Sequence, residues 1–159
     1  MIDIVAADLN QQSHADAMIE LLDGYAKDPM GGGEHLSNHT RDNLISELQR
    51  RSDLLAIVAF DDGVAAGLMI CFEGFSTFRC APLLNIHDVI VAKPFRQQGI
   101  SRAMFTFVEE IARQRNYCKL TLEVLEGNRV AQDAYRSFGF SGYELDPEMG
   151  KALFWEKSL

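Results

Sequence analysis

The sequence predicts an α/β protein with a mixed central sheet of about six to seven strands flanked by about four helices. In the first half, two apolar runs at residues 54–60 and 64–72 are separated by a short turn, which is typical of antiparallel pairing. In the second half, apolar runs alternate with amphipathic helical patterns, which favours parallel crossovers. The length of 159 residues predicts a single domain over residues 1–159.

The early elements are a strand and two helices. Ile2–Ala6 alternates weakly and predicts the first strand. A helix with Ser13 as its candidate N-cap follows and ends at Asp28, because the next residue is a proline. A second helix is predicted over residues 41–51. Between them, the three glycines of residues 31–33 predict the most flexible stretch of the chain.

The central strands are predicted from the two apolar runs at residues 54–60 and 64–72. The turn signal between them, Asp-Asp-Gly at residues 61–63, predicts that they form a β-hairpin. A further strand is predicted over residues 83–92 and ends before Pro94. Residues 74–82 fit either an extension of the hairpin strand or a loop.

The later elements begin with the strongest helical pattern of the chain. Its apolar residues recur at helical spacing: Ile100, Ala103, Met104, Phe107, Val108, Ile111 and Ala112. A strand is predicted over residues 119–125, and a short helix opens at Asn128 and ends at Gly139. Residues 140–145 and 152–155 predict the final strands.

Composition restricts the class of partner. Fifteen Lys and Arg against 23 Asp and Glu give a net charge of -8, which argues against nucleic-acid binding and favours cationic partners. Cys71, Cys80 and Cys118 are an odd set without a C-x-x-C pair, which indicates reduced thiols in a cytoplasmic protein, and the first two are expected to be buried. We find no signal peptide in residues 1–10 and no apolar run long enough to cross a membrane.

The turn at residues 96–101, Arg-Gln-Gln-Gly-Ile-Ser, joins a strand to the strongest helix. Unpaired N–H groups and the helix dipole make such a helix start a candidate site for phosphate or pyrophosphate. Gly99 would let the ligand approach the backbone, although a glycine here also serves a tight turn without any ligand. The turn lacks the Gly-Lys-Ser/Thr of a Walker A loop, and no G-x-G-x-x-G fingerprint occurs.

This turn resembles the R/Q-x-x-G-x-G/A segment of the GCN5-related N-acetyltransferases (GNAT), with Ser101 in place of the second small Gly or Ala. Downstream, Asn128 and Tyr135 resemble the N-x-x-A-x-x-x-Y pattern of that family, and residues 138–140, Phe-Gly-Phe, match its ending. The resemblance covers residues 84–140. A looser resemblance to diamine and polyamine acetyltransferases rests on His87-Asp88, where those enzymes carry Glu-Asp, and on Gly150 with Leu153-Phe154.

The resemblance implies a site for acetyl-CoA and no metal. The backbone at Val89 and Val91 would hold the acetyl and pantetheine part, the turn would bind the pyrophosphate, and Asn128 would lie against the cofactor. The residues implied for acetyl-CoA are Val89, Ile90, Val91, Arg96, Gln97, Gln98, Gly99, Ile100, Ser101, Arg102, Asn128 and Tyr135.

The implied proton donor is Tyr135, whose phenol, with an ordinary pKa of ~10, suits protonation of the departing thiolate. The alternative for Tyr135 is a core residue of a short helix. The proton acceptor is open: His87 is either the base or a packed strand histidine, and Asp88 is a base or binds water or a cationic substrate. Neighbouring strand residues point to opposite faces, so the two form no dyad unless the strand bulges.

Two acidic residues of the glycine-rich segment complete the expected site. Asp28 and Glu34 would attract an ammonium group on the acceptor side, together with His87, or they belong to a flexible acidic turn. His35 and His39 are four residues apart, but an exposed loop is expected rather than a metal site. The predicted function is acetyl transfer to a small-molecule primary amine. The alternative is a non-catalytic CoA-binding sensor or partner module, and a homodimer is expected.

Overall fold

A computed structural model gives the structure of residues 1–144 and 146–159. The chain forms two compact units, Met1–Leu122 and Glu123–Leu159, which are described separately.

The first unit contains five strands and three α-helices. In chain order the elements are β1 (Ile2–Ala6), α1 (Gln12–Ala26), α2 (Asn38–Gln49), β2 (Leu54–Asp61), β3 (Val64–Ser76), β4 (Ala81–Val91), α3 (Ile100–Gln114) and β5 (Leu120–Leu122). Short 3₁₀ turns occupy Pro29–Gly31 and Lys93–Phe95. The second unit contains α4 (Arg129–Ser137).

The strands lie in the order β1-β2-β3-β4-β5. The first four are antiparallel, as the hairpin turn predicts, and β5 is parallel to β4 after the crossover through α3. The predicted α/β class with a mixed sheet is therefore confirmed. The strand at residues 83–92 begins earlier than predicted, and residues 74–82 divide into the end of β3, a turn and the start of β4.

Helices cover both faces of the sheet. On one face, α1 and α2 pack Met18, Leu21 and Leu48 onto β2 and β3. On the other face, α3 lies so close to β3 that a Cβ at Gly67 would meet Ile100 Cγ2 and Met104 Cε at 3.0 Å. This close approach seats the first turn of α3 at the end of β4, where the candidate site lies.

Several local predictions are wrong. Ser13 is not an N-cap: α1 begins at Gln12 after Gln11, without a side-chain cap, whereas Ser37 caps α2 by accepting from the Thr40 N–H at 3.1 Å. Cys71 is buried as predicted, but Cys80 is exposed because it lies in the turn between β3 and β4, at φ 48°.

The predicted final strands, residues 140–145 and 152–155, are not formed by the described residues, where an isolated bridge joins Glu144 and Lys151. Leu145 lies outside the described residues. The apolar side chains of the second segment are 74% to 82% exposed, so no packed face supports a strand there. Among the residues that the structure describes, the sheet accordingly has five strands rather than six to seven. No helix within the described ranges is long and apolar enough to traverse a bilayer.

Candidate active site

A β-bulge lies at the centre of β4. Asp88 pairs with Ile70 and Ile86 pairs with Cys71, so His87 is an extra residue without a partner on β3. A bulge changes the direction of side chains and often lies beside a functional site. The simple alternation expected for His87 and Asp88 therefore does not hold. Within residues 1–144 and 146–159, no hydrogen bond joins these two side chains.

His87 is exposed and packs against an aromatic ring. Its imidazole meets Phe72 edge-on, with ring centroids 5.6 Å apart. The guanidinium of Arg51 lies over the Phe72 ring, 5.0 Å from its centroid. The sequence left two alternatives for His87, a base or a packed strand histidine, and these contacts fit the second. The side of the ring away from Phe72 remains in solvent.

Asp88 is half-buried, and its carboxylate is more basic than that of an exposed aspartate. Burial raises the pKa of Asp88, and the charge of His87 offsets part of that rise. On the neighbouring strand, burial and the charge of Asp88 raise the pKa of the Cys71 thiol to about 12. Cys71 is therefore a neutral thiol, whereas the raised pKa of Asp88 makes its carboxylate a better proton acceptor than an ordinary aspartate.

The end of α1 lies beside this carboxyl. The pKa of Tyr25 is raised first by burial and then by the negative charges of Asp88 and Asp28. The Tyr25 hydroxyl donates to the Met30 carbonyl oxygen at 3.2 Å. Tyr25 thus connects the bulge of β4 to the glycine-rich segment after α1. Sequence patterning does not single out Tyr25 as a site residue, because its helical spacing with Met18, Leu21 and Leu22 is typical of a core residue.

Asp28 and Glu34, the two predicted acceptor-side carboxylates, differ in their contacts. Asp28 accepts from the Met30 N–H at 3.2 Å and from Arg96 Nη2 at 3.3 Å. Its pKa is lowered chiefly by the Met30 hydrogen bond, which together with Arg96 outweighs burial. Glu34 is exposed, and no hydrogen bond or ion pair reaches its carboxylate from the described part of the chain. Glu34 therefore offers the more available negative charge.

The turn after β4 is shaped by two residues in the left-handed region. Gln97 has φ 64° and Gly99 has φ 80°. Gly99 is the N-cap of α3 and provides no side-chain acceptor. Among the described residues, no acceptor engages the backbone N–H groups of Ser101 and Arg102. Such N–H groups at the positive end of a helix suit an anion, and a Cβ at Gly99 would meet nothing within 4 Å.

Two predicted pyrophosphate ligands instead hold the turn together. Arg96 donates through Nε to the Val91 carbonyl oxygen at 3.1 Å, in addition to its ion pair with Asp28. Gln98 donates through Nε2 to the Pro94 carbonyl oxygen at 3.0 Å. The backbone of the turn, rather than these side chains, therefore provides the free donors, and it fits the pyrophosphate of a nucleotide cofactor.

The edge of β4 opens beside this turn. β5 pairs with β4 from Leu84 to Ile86 and then ends at Leu122. From His87 to Val91, no strand within the described ranges pairs with β4 on that side. The predicted acetyl-CoA residues Val89, Ile90 and Val91 lie along this open edge, and the Ile90 side chain is buried. An unpaired strand edge offers the backbone groups that an extended, amide-containing pantetheine needs.

The second unit carries the remaining predicted residues. The side-chain carbonyl of Asn128 caps α4 by accepting from the Ala131 N–H at 3.2 Å. The Tyr135 ring packs edge-on against Phe140, with centroids 6.2 Å apart. Gly139, at φ 104°, ends α4 as predicted. Capping and packing thus account for part of the Asn128–Tyr135 pattern.

A cleft of about 740 Å³ lies between α1 and α2, away from the bulge. Its lining includes Asp23, Lys27 and Arg41 but none of Tyr25, Asp28, His87 or Asp88. His35, the first of the two spaced histidines, contacts Asp23. His39 lies on α2 beside Asn43. No group of three metal-ligating side chains occurs in the part of the chain that the structure describes.

A known protein family matches most of this chain. The sequence profile of the Acetyltransferase (GNAT) family matches residues 15–140. Streptothricin acetyltransferase of Streptomyces lavendulae is 40% identical over 63 residues, a match that covers 40% of this chain and spans 33% of that protein.

Two solved structures share the fold. One is an aminoglycoside acetyltransferase from an uncultured soil metagenomic sample in complex with sisomicin, with TM-score 0.81, 16% identity and coverage of 99% of this chain and 96% of that one. The other is a ribosomal-protein-alanine N-acetyltransferase from Brucella melitensis biovar Abortus 2308, with TM-score 0.70, 19% identity and coverage of 92% and 99%.

Proposed function

The chain belongs to the GNAT acetyltransferase family, and on this premise we propose that it transfers acetyl from acetyl-CoA to the primary amine of a small cationic molecule. The observation that carries the proposal is the arrangement along β4: a basic half-buried carboxyl at the bulge and unpaired helix N–H groups at the following turn. A base for the amine and a site for the cofactor anion thus lie on one strand and its connection to α3.

The proposed acetyl-CoA site uses mainly backbone donors. N–H groups of Gly99, Ile100, Ser101 and Arg102, with the dipole of α3, would bind the pyrophosphate, while Gln97 keeps the turn in shape. Val89, Ile90 and Val91 would hold the pantetheine along the open edge of β4. Acetyl-CoA supplies an activated thioester carbonyl, which N–H donors at this edge would polarise.

The proposed proton route uses two side chains. Asp88 accepts a proton from the substrate ammonium, directly or through one water, and leaves a neutral amine. The amine nitrogen forms a bond to the acetyl carbon, and the bond from that carbon to sulfur breaks. Tyr135 donates its phenolic proton to the departing thiolate, and the second proton that the nitrogen loses as the amide forms restores the phenol through water. His87, packed on Phe72, modulates Asp88 through its charge and lies near the acceptor rather than serving as the principal base.

The proposed acceptor is cationic because the charges around the bulge are negative. The negative charges of Asp88 and Asp28 both raise the pKa of Tyr25. The exposed Glu34 adds a further negative charge. Arg96 neutralises part of Asp28, so Glu34 and Asp88 carry most of the attraction. Polyamines fit this chemistry, and so do the antibiotic classes named for the relatives, which belong in the test panel.

A thiol-release assay tests the proposal. The purified chain is mixed with acetyl-CoA and, separately, with polyamines, lysine analogues, streptothricin, aminoglycosides and an N-terminal alanine peptide. We expect release above the amine-free rate with at least one small polycation. Thermal stabilisation by CoA without release for any amine would contradict it and favour the CoA-binding module. Light scattering of the same sample checks the proposed homodimer, which a monomer mass would overturn.

A further inference from the structure

Asp23 is the one buried charged residue among those that the structure describes, with 7% of its surface exposed. It lies on α1, two residues before Tyr25, and has no part in the proposed chemistry. A buried carboxylate is costly unless hydrogen bonds and positive charges compensate for lost water. The contacts of Asp23 therefore identify what the fold uses it for.

Its contacts outside α1 come from one segment. The Asp23 carboxylate accepts from the Leu36 N–H at 3.0 Å and lies 2.9 Å from His35 Nδ1. Lys27 Nζ, one turn along α1, is 3.5 Å away. Burial pushes the pKa of Asp23 upward, but the hydrogen bonds from His35 and Leu36, with the charges of His35 and Arg41, outweigh it and lower the pKa. Asp23 is thus a charged anchor for the end of the glycine-rich segment.

That segment, residues 31–36, is called the glycine loop below. Its near end folds back on α1, where the Gly33 and Glu34 N–H groups donate to the Ala26 carbonyl oxygen at 2.9 and 3.1 Å. A Cβ at Gly31 would lie 2.1 Å from the Tyr25 carbonyl oxygen, so only glycine permits this approach. Glycines give the loop its shape but lose the most conformational freedom on ordering, so the loop requires anchors at both ends.

We propose that Asp23 and His35 form a latch that fixes the glycine loop and thereby sets the affinity for the amine. The inference rests on the proposed function, which gives Glu34 of this loop a role in attracting the acceptor. Asp23 and His35 are positioning residues: they hold Glu34, next to His35, and the turn after α1, which begins at Asp28 and contacts the Tyr25 hydroxyl. Without the latch, binding the amine also has to order the loop, and that cost weakens binding.

His35→Ala tests the latch without risk to the core, because the His35 side chain is 62% exposed. We expect the KM for the amine to rise about three- to tenfold, the loss typical of one charge-assisted hydrogen bond at a partly exposed site. The KM for acetyl-CoA and kcat stay within about twofold. Hydrogen exchange of the amides at residues 31–36 becomes faster.

His39→Ala is the matched control, since His39 lies four residues on and its imidazole contacts Asn43 of its own helix. It leaves both KM values, kcat and the exchange rates at their wild-type values. His35→Asn restores them, because the asparagine Nδ2 stands near the position of His35 Nδ1 and donates to Asp23. The Tm of each of the three variants is measured to detect unfolding. We expect no common fall in Tm.

An unchanged amine KM in His35→Ala overturns the latch, whether or not exchange is faster. Equal rises in the KM values for amine and acetyl-CoA also overturn it, because they indicate general disorder. A wild-type chain that acetylates no amine contradicts the proposed function and the affinity claim together. In that case the exchange rates at residues 31–36 still decide whether His35 holds the loop.

Discussion

In the proposed mechanism, the two ends of the open edge of β4 have different tasks and use different parts of the chain. At the bulge, Asp88 would act through its side chain, and its pKa is raised by burial and lowered in part by the charge of His87. At the turn, Gly99 and the start of α3 act through backbone N–H groups, and Arg96 and Gln98 are occupied in holding the turn. Substitutions at the bulge should therefore change the chemistry, whereas substitutions at the turn should change cofactor binding.

The difference also shows what each site requires of its neighbours. The turn is formed by two left-handed residues, Gln97 and Gly99, directly before a helix, and that pattern is local in the sequence. The site at the bulge needs a register shift between β3 and β4, and it needs the carboxyl of Asp88 to be buried by residues distant in the sequence. Three substitutions test this contrast, from the largest expected effect to the smallest.

Asp88→Asn should have the largest effect. Removal of the base lowers kcat on the order of a hundredfold, while the Kd for acetyl-CoA measured by calorimetry changes little. In the wild type, kcat/KM falls as the pH drops through the raised pKa of Asp88, and the variant loses this acidic limb. His87→Gln is the comparison variant, with a much smaller loss. A larger loss in His87→Gln than in Asp88→Asn would assign the base to His87.

The same substitution should stabilise the protein at neutral pH. Burial raises the pKa of Asp88 in the folded state, so ionisation costs stability as the pH rises above the unfolded value and through the folded pKa. Asparagine carries no charge and avoids that cost. We expect a higher Tm for Asp88→Asn at pH 7 and equal values at pH 3. A lower Tm at pH 7 would show that the charge of Asp88 is stabilised rather than strained.

Tyr135→Phe should have the next largest effect. Loss of the phenolic proton lowers kcat by about ten- to a hundredfold, because the thiolate then leaves unprotonated. The ring remains, so packing against Phe140 and the affinity for acetyl-CoA are retained. Single-turnover kinetics with the best amine measures the effect. Equal losses in kcat and in cofactor affinity would contradict an acid role and support a packing role for Tyr135.

Gly99→Ala should have the smallest effect and should act on binding. At φ 80° an alanine is strained by ~1–2 kcal/mol, so the turn relaxes and the Kd for acetyl-CoA rises about tenfold. At saturating acetyl-CoA, kcat returns close to the wild-type value. Ser101→Ala is the control: its N–H remains, so affinity is unchanged. A large loss in Ser101→Ala would show that a hydroxyl rather than the backbone binds the anion.

The local predictions that succeeded are those carried by short-range geometry. The spacing of Met104 and Val108 predicted α3, and the Asp-Gly turn before Val64 predicted the hairpin. Gly139 was predicted to end α4 because only a residue tolerant of positive φ continues the chain there. Strands at the end of the chain were predicted from apolar runs alone, and they failed because a strand also needs a partner and a packed face.

The sequence by itself determined the α/β class, the order of the strands and α-helices from β1 to α4 and the turn at Gly99, because hydrophobic period and backbone permissiveness are local properties. The tertiary structure alone decided the surroundings of Asp88, Tyr25 and Asp23, on which their proposed roles depend. The pKa of a carboxyl follows from burial and nearby charges, and those are set by elements far apart in the chain. The bulge at His87 likewise follows from the pairing of β3 with β4, which no single strand encodes.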